Sequence, residues 1–314
     1  MERTREFLRS TGLPGGDLHE LPTSDKRFPD GAQYRVEIPS TEGPRALEAV
    51  LEEAEQLDVR VHRVSQGSGV FMLSDAELDE MAQRAAAATV EVSLFARPNA
   101  AWDTSAQARA LAGATLAPAI RGGDQLVHAL EDVRRAAAHG FRSVLIADVG
   151  LLASFDAMRK AGEVPPEMKA KVSVMLPAAN PSSARVLADL GADTLNLPAN
   201  LSLAQIAAIR EAINVPIDFY VEAPDNLGGF VRIYELPEIV RVAAPVYVKF
   251  GLRNAPDVYP SGSHLETTVV ALSRERVRRA RLGLELLERE FPEAVTSELG
   301  AAGLALPDVL ARAS

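Results

Sequence analysis

Ile217-Asp218-Phe219-Tyr220-Val221-Glu222 alternates apolar and polar residues without a break, the period-two pattern of a β-strand whose two faces meet different surroundings. One face is aliphatic and aromatic; the other carries Asp218, Tyr220 and Glu222. Such a strand suits the wall of a closed barrel, where the outer face packs under helices and the inner face meets other strands. Outward from it in both directions, short β-branched runs alternate with Ala/Leu/Glu-rich runs. Strands are expected at 34–40, 59–65, 89–96, 142–148, 171–176, 193–197, 217–221 and 246–250. Helices follow each of them. Pro44 suits a first helical turn, Ser74-Asp75-Ala76-Glu77 reads as a capping box, and Gly140 and Gly191 sit where helices stop.

Eight strand–helix pairs in unbroken alternation predict an α/β fold, a parallel (β/α)8 barrel of the TIM type, as a single domain. Residues 34–290 form the barrel, 1–33 an N-terminal segment covering one barrel end, and 291–314 a C-terminal helical tail. A doubly wound open sheet would also alternate. It announces itself by a glycine-rich turn after the first strand, and Ser40-Thr41-Glu42-Gly43-Pro44 is no such turn.

The chain has 314 residues, 47% of them hydrophobic and 24% charged, enough to bury a core without covalent staples. It has no cysteine. Disulfides, thiolate metal sites, cysteine-ligated iron–sulfur clusters and cysteine nucleophiles are thereby excluded. No nicotinamide, flavin or phosphate-loop motif is present. The net charge of −10, with no basic stripe, argues against nucleic-acid binding. No leader or apolar run of membrane-spanning length is seen, so a cytoplasmic location and no membrane partner are expected. A small-molecule substrate is the expected partner, with a homo-oligomer open.

Because helix-facing positions must be apolar, alternation assigns the inward positions. Glu37, His62, Glu91, Ser93, Asn196, Asp218, Tyr220, Glu222, Tyr247 and Lys249 fall inside, with Asp148 at the end of its strand. Charges there are costly unless paired or used in chemistry, and barrel enzymes place catalytic groups at the C-terminal strand ends. Glu222, His62, Lys249 and Asp148 are therefore the candidate catalytic residues. Glu37, Asn196, Tyr220 and Arg97 are candidate substrate-binding residues. Each also has a structural reading: Glu37 and Lys249 as an ion pair on adjacent strands, His62 as a satisfied interior histidine, and Asp218 as an interior carboxylate. A divalent metal held by Glu37, Asp148 and Glu222, with His62 beside them, is a further expectation, although no local ligand spacing supports it. Gly122-Gly123-Asp124 reads as an anion-binding turn or a plain helix start, and Ser261-Gly262-Ser263-His264 as a lid or a subunit contact.

Asp148-Val149-Gly150-Leu151-Leu152, Asn180-Pro181-Ser182-Ser183-Ala184, Leu190-Gly191-Ala192-Asp193 and the segment 200–210 resemble the collagenase-like peptidases, peptidase family U32. The resemblance covers about residues 140–225 and implies a barrel and a hydrolytic ancestry. Two departures limit what it carries over. Asn200 stands where the family shows a glutamate, and Glu222-Ala223-Pro224 stands where its signature continues into a His-Gly and cysteine-rich stretch. Three functions follow as expectations. The first is an acid–base barrel enzyme acting on a small polar anionic or carbonyl metabolite, as lyase, isomerase or hydrolase. The second is a peptidase or amidase, and the third a non-catalytic scaffold or binding subunit.

Overall fold

The structure is a computed structural model that describes residues 1–97 and 119–309. Eight parallel strands close into one barrel in chain order: β1 (Tyr34–Pro39), β2 (Val61–Ser65), β3 (Glu91–Phe95), β4 (Ser143–Ile146), β5 (Lys169–Val172), β6 (Thr194–Asn196), β7 (Ile217–Glu222) and β8 (Val246–Phe250). Among the described residues the helices are α1 (Glu2–Ser10), α2 (Pro44–Gln56), α3 (Asp75–Ala87), α4 (Gly122–Ala138), α5 (Val149–Lys160), α6 (Pro181–Asp189), α7 (Leu203–Ala212), α8 (Leu236–Ala243) and α9 (Glu266–Glu290). The expected (β/α)8 barrel is the observed one. No described helix is long and apolar enough to cross a membrane.

Local chemistry explains the boundaries. Ser74 accepts from the backbone N–H of Glu77, whose carboxylate accepts in turn from the N–H of Ser74, the reciprocal box expected there. Asn180 and Ser202 cap α6 and α7 in the same way. Pro44 and Pro181 occupy first turns, where a missing N–H costs nothing. Gly140 follows α4 at φ +88°, and a Cβ there would meet the Asp308 carbonyl oxygen at 2.6 Å, so only glycine fits.

The apolar layer lies outside the barrel. Val36, Ile38, Val64, Val92, Leu94, Val144, Ile146, Val172, Leu195, Phe219 and Val248 all join one buried cluster with the inner faces of the helices. Burying each such side chain stabilises by about 1.5–3 kcal/mol, which is why this face tolerates no charge. Two irregularities break the ladder. One lies between Val36 and Glu37 against β2, the other between Tyr220 and Glu222 against β8.

Both termini cover the N-terminal end of the barrel. Ser24 donates to the Ala244 carbonyl, and Phe28 packs edge-on against Tyr247 with ring centroids 5.2 Å apart. The C-terminal tail, expected as a helix, is not helical over 291–309. It pairs alongside β1 at Tyr34 and Thr296. Ala305 N–H then donates to Glu91 at 3.0 Å, and Asp308 N–H to the Gly140 carbonyl at 2.8 Å. Its backbone donors are taken up by the barrel rim, which satisfies them without a helix.

Candidate functional site

The inner face of the barrel is polar at mid-height. Glu37 on β1 accepts from Arg63 Nε at 2.7 Å and Ser65 Oγ at 2.8 Å, and both of its oxygens accept from Lys171 Nζ. Lys249 Nζ stands 3.3 Å from it. Asp218 on β7 accepts from Arg63 and, at 2.9 Å, from the Thr194 hydroxyl, with Lys171 at 3.4 Å. Arg63 also faces Glu91 at 3.7 Å and stacks on the Tyr247 ring, its guanidinium carbon 3.5 Å from the centroid. Burial alone would raise the Glu37 carboxyl. The charges of Arg63, Lys171 and Lys249 outweigh that and hold it well below the usual carboxylate range. The centre of the barrel is thus a mutually partnered charge network.

Above it, towards the C-terminal mouth, the partnering thins. Lys249 Nζ lies over the Tyr220 ring, 4.1 Å from its centroid. In the amide orientation that satisfies both ends, Asn196 accepts from Lys249 Nζ at 2.8 Å and donates to the Asp218 carbonyl at 3.2 Å. Tyr220 packs among Ala199 and Ala223, with Val174 and Leu227 beside them. Burial pushes its phenol up, so it stays protonated, and among the described residues its hydroxyl makes no hydrogen bond. Tyr259 reaches the same mouth from the loop after β8 and hydrogen-bonds Ser40. A Cβ on Gly67 would meet the Tyr259 ring at 2.5 Å. Arg276 is buried on α9. It donates to the Ser40 carbonyl through Nη1 at 3.3 Å, while its Nε lacks a partner.

The expected catalytic residues do not come together. His62 is the residue inserted where β2 slips against β1. Its Nδ1 accepts from the Val36 N–H at 3.0 Å and its Nε2 faces the Ser297 carbonyl at 2.8 Å, which fixes the tautomer. Burial lowers its pKa to about 4, so the ring is a neutral strut rather than an inward acid or base. Asp148 caps α5, accepting from the Leu151 N–H at 2.9 Å and the Ile120 N–H at 3.0 Å. Glu222 is turned by the second ladder irregularity. One of its oxygens accepts from the Arg253 N–H at 3.0 Å, and the other lies 3.7 Å from Arg279 without a hydrogen-bond partner. Among the described residues no group of three or more Asp, Glu, His or Cys is placed to hold a metal ion. Glu37, Asp148 and Glu222 therefore do not form the expected ligand set.

Lys249, Asn196, Tyr220 and Glu37 do converge. Arg97 is buried at the start of the β3 loop, donating to the Gly67 carbonyl at 3.2 Å. Of the segments left open, Gly122 opens α4 behind Arg121 as N-cap, and Ser261 N–H donates to Ser68 Oγ at 2.8 Å. Arg63 and Lys171 were not among the expected site residues, and only Arg63 is hidden from alternation. Val61 and Val64 both join the outer apolar layer; their odd spacing is the sequence signal of the irregularity that turns Arg63 inward. Lys171 shares parity with Ser173 and is inside by the alternation rule itself.

A parallel (β/α)8 barrel with a polar, enzyme-like interior is the class defined by this geometry. Residues 114–223 match the sequence model of peptidase family U32, about a third of the chain. The match contains Asp148, Asn196, Tyr220 and Glu222, but not Glu37 or Lys249. No curated protein sequence matches the chain. Similar solved structures include a U32 peptidase, 18% identical, covering 64% of this chain and 73% of that one with a TM-score of 0.41. A dimeric archaeal Rubisco from Hyperthermus butylicus is 10% identical over 87% of this chain and 67% of that one, TM-score 0.45. A candidate lyase or mutase from Burkholderia cenocepacia J2315 is 16% identical over 92% and 90%, TM-score 0.43. Identity and score are too low for any of the three to inform the chemistry of this chain.

Proposed function

We propose that the chain is a barrel enzyme working at its C-terminal mouth by acid–base chemistry on a small anionic or carbonyl metabolite. The observation that carries this reading is the Lys249 ammonium, held at once by Glu37, by Asn196 and over the Tyr220 ring. A buried cation fixed on three sides polarises a substrate carbonyl or carboxylate without reorganising during the reaction. Tyr220, kept protonated by burial, is the proton donor next to it. Arg276, with an unpartnered Nε, adds positive charge to the mouth and favours an anionic substrate. Incubating the purified chain with a panel of carbonyl and carboxylate metabolites, followed by NMR, tests the reading. Turnover that falls at least a hundredfold in Lys249→Met supports it; turnover unaffected by that substitution overturns the assignment.

The match over 114–223 favours a second reading, amide or peptide hydrolysis at the same mouth. A peptide library in the same panel separates the two, since only the second yields new amino termini.

A further inference from the structure

Below the charge network, at the opposite end of the barrel from Tyr220, lies a cavity of about 310 Å³. Phe28 and Pro29 of the N-terminal cover and Gly303 of the tail border it, with Ser143, Lys171 and Tyr247 among its walls. We propose that this cavity is a binding site for a small, multiply charged oxyanion, a phosphate-bearing or polycarboxylate metabolite.

Charge balance carries the proposal. Inside the barrel, Arg63, Lys171 and Lys249 are matched by Glu37, Asp218 and Glu91. Three further cations line the cavity: Arg27, Arg35 and Lys169. Arg27 donates to the Ser24 and Lys26 carbonyls and Lys169 to the Gly303 carbonyl. Arg35 donates to Ser297 Oγ, the Tyr247 hydroxyl and the Ala302 carbonyl, with Asp30 only within 3.7 Å. Of the carboxylates on the lining, Asp193 is taken by Arg159 at 2.7 Å and by the Ala170 N–H at 2.8 Å. Glu91 is shared between Arg63 and the Ala305 N–H. Arg27 and Lys169 are satisfied only by neutral carbonyls, and Arg35 has one long ion pair to Asp30. Cations so placed around a cavity are arranged to accept an anion, because charge-assisted hydrogen bonds are about twice as strong as neutral ones.

A second observation is independent of charge. Ser143 is fully buried, lines the cavity, and its hydroxyl has no partner. A buried unsatisfied hydroxyl is destabilising, and a ligand oxygen in the cavity would accept from it. Such a ligand would also tie together the cover and the tail, which meet at this end through Pro29 and Gly303.

Titration calorimetry on the full chain tests the site, with inorganic phosphate and with malonate at constant ionic strength and chloride as reference. Saturable one-to-one binding of at least one probe is expected; the tighter probe distinguishes a phosphate from a carboxylate ligand. Arg27→Gln combined with Lys169→Gln should weaken it at least tenfold, and Ser143→Ala a few-fold. Arg274→Gln, on the outer face of α9, should leave it unchanged. If the double variant proves unstable by circular dichroism, Ser143→Ala alone decides, since it removes a single oxygen. No binding above chloride, or unaltered affinity in the folded variants, overturns the proposal.

Discussion

The centre of the barrel and its C-terminal mouth are built from the same residue types and behave differently. At the centre, Glu37 and Asp218 are each held by several donors, and the cations that hold them are held in return. At the mouth, Tyr220 and Arg276 keep polar atoms with no hydrogen-bond partner among the described residues. A closed network fixes geometry, whereas unsatisfied groups beside it are the ones a ligand can engage. Charge inside a barrel is therefore no guide to chemistry by itself; how completely it is partnered is the guide.

The largest test of this contrast is at the centre. Glu37→Gln leaves Arg63, Lys171 and Lys249 without their shared counter-charge, and removing one partner of a buried ion network costs about 3–5 kcal/mol. Urea denaturation should show a loss of that order, and a loss below about 1 kcal/mol would mean that the network contributes little.

Acid should find the weak point of the ladder next. The folded pKa of His62 is about 4 against 6.5 for the free imidazole. Between those values the unfolded chain binds the extra proton. Stability is then complete above pH 6.5 and falls as the pH drops towards 4, by roughly 3 kcal/mol from this residue. Replacing His62 by Asn should flatten that segment of the stability–pH curve. A curve of the same slope would place the titration elsewhere.

Glu222→Gln is the smallest of these effects. Gln keeps an acceptor for the Arg253 N–H and loses only a 3.7 Å contact with half-buried Arg279. Melting curves should nearly superimpose. A larger loss would show that Glu222 anchors the loop after β8 more firmly than its contacts imply.

The barrel was legible because burial on the outer face imposes alternation on every strand, and Ile217 to Glu222 displays it without ambiguity. Lys249, Asn196, Tyr220 and Glu37 were legible for the same reason. His62 was not, since one residue inserted into β2 exchanges its place with Arg63, and parity carries no memory across a slip. Asp148 and Glu222 lie at strand ends, where side chains satisfy backbone N–H groups and alternation ceases to apply. The N-terminal cavity is lined by residues from both chain ends, Arg27 and Gly303 among them, a juxtaposition that no local pattern records.

The most direct test of the contrast between centre and mouth is Tyr220→Phe, with stability and turnover measured on the same preparation. The substitution removes only a hydroxyl that is unpartnered among the described residues. Stability within about 1 kcal/mol of the parent together with turnover reduced about 10²–10⁴-fold is the expected result. Undiminished turnover, or a loss of stability comparable to that of Glu37→Gln, would contradict the account.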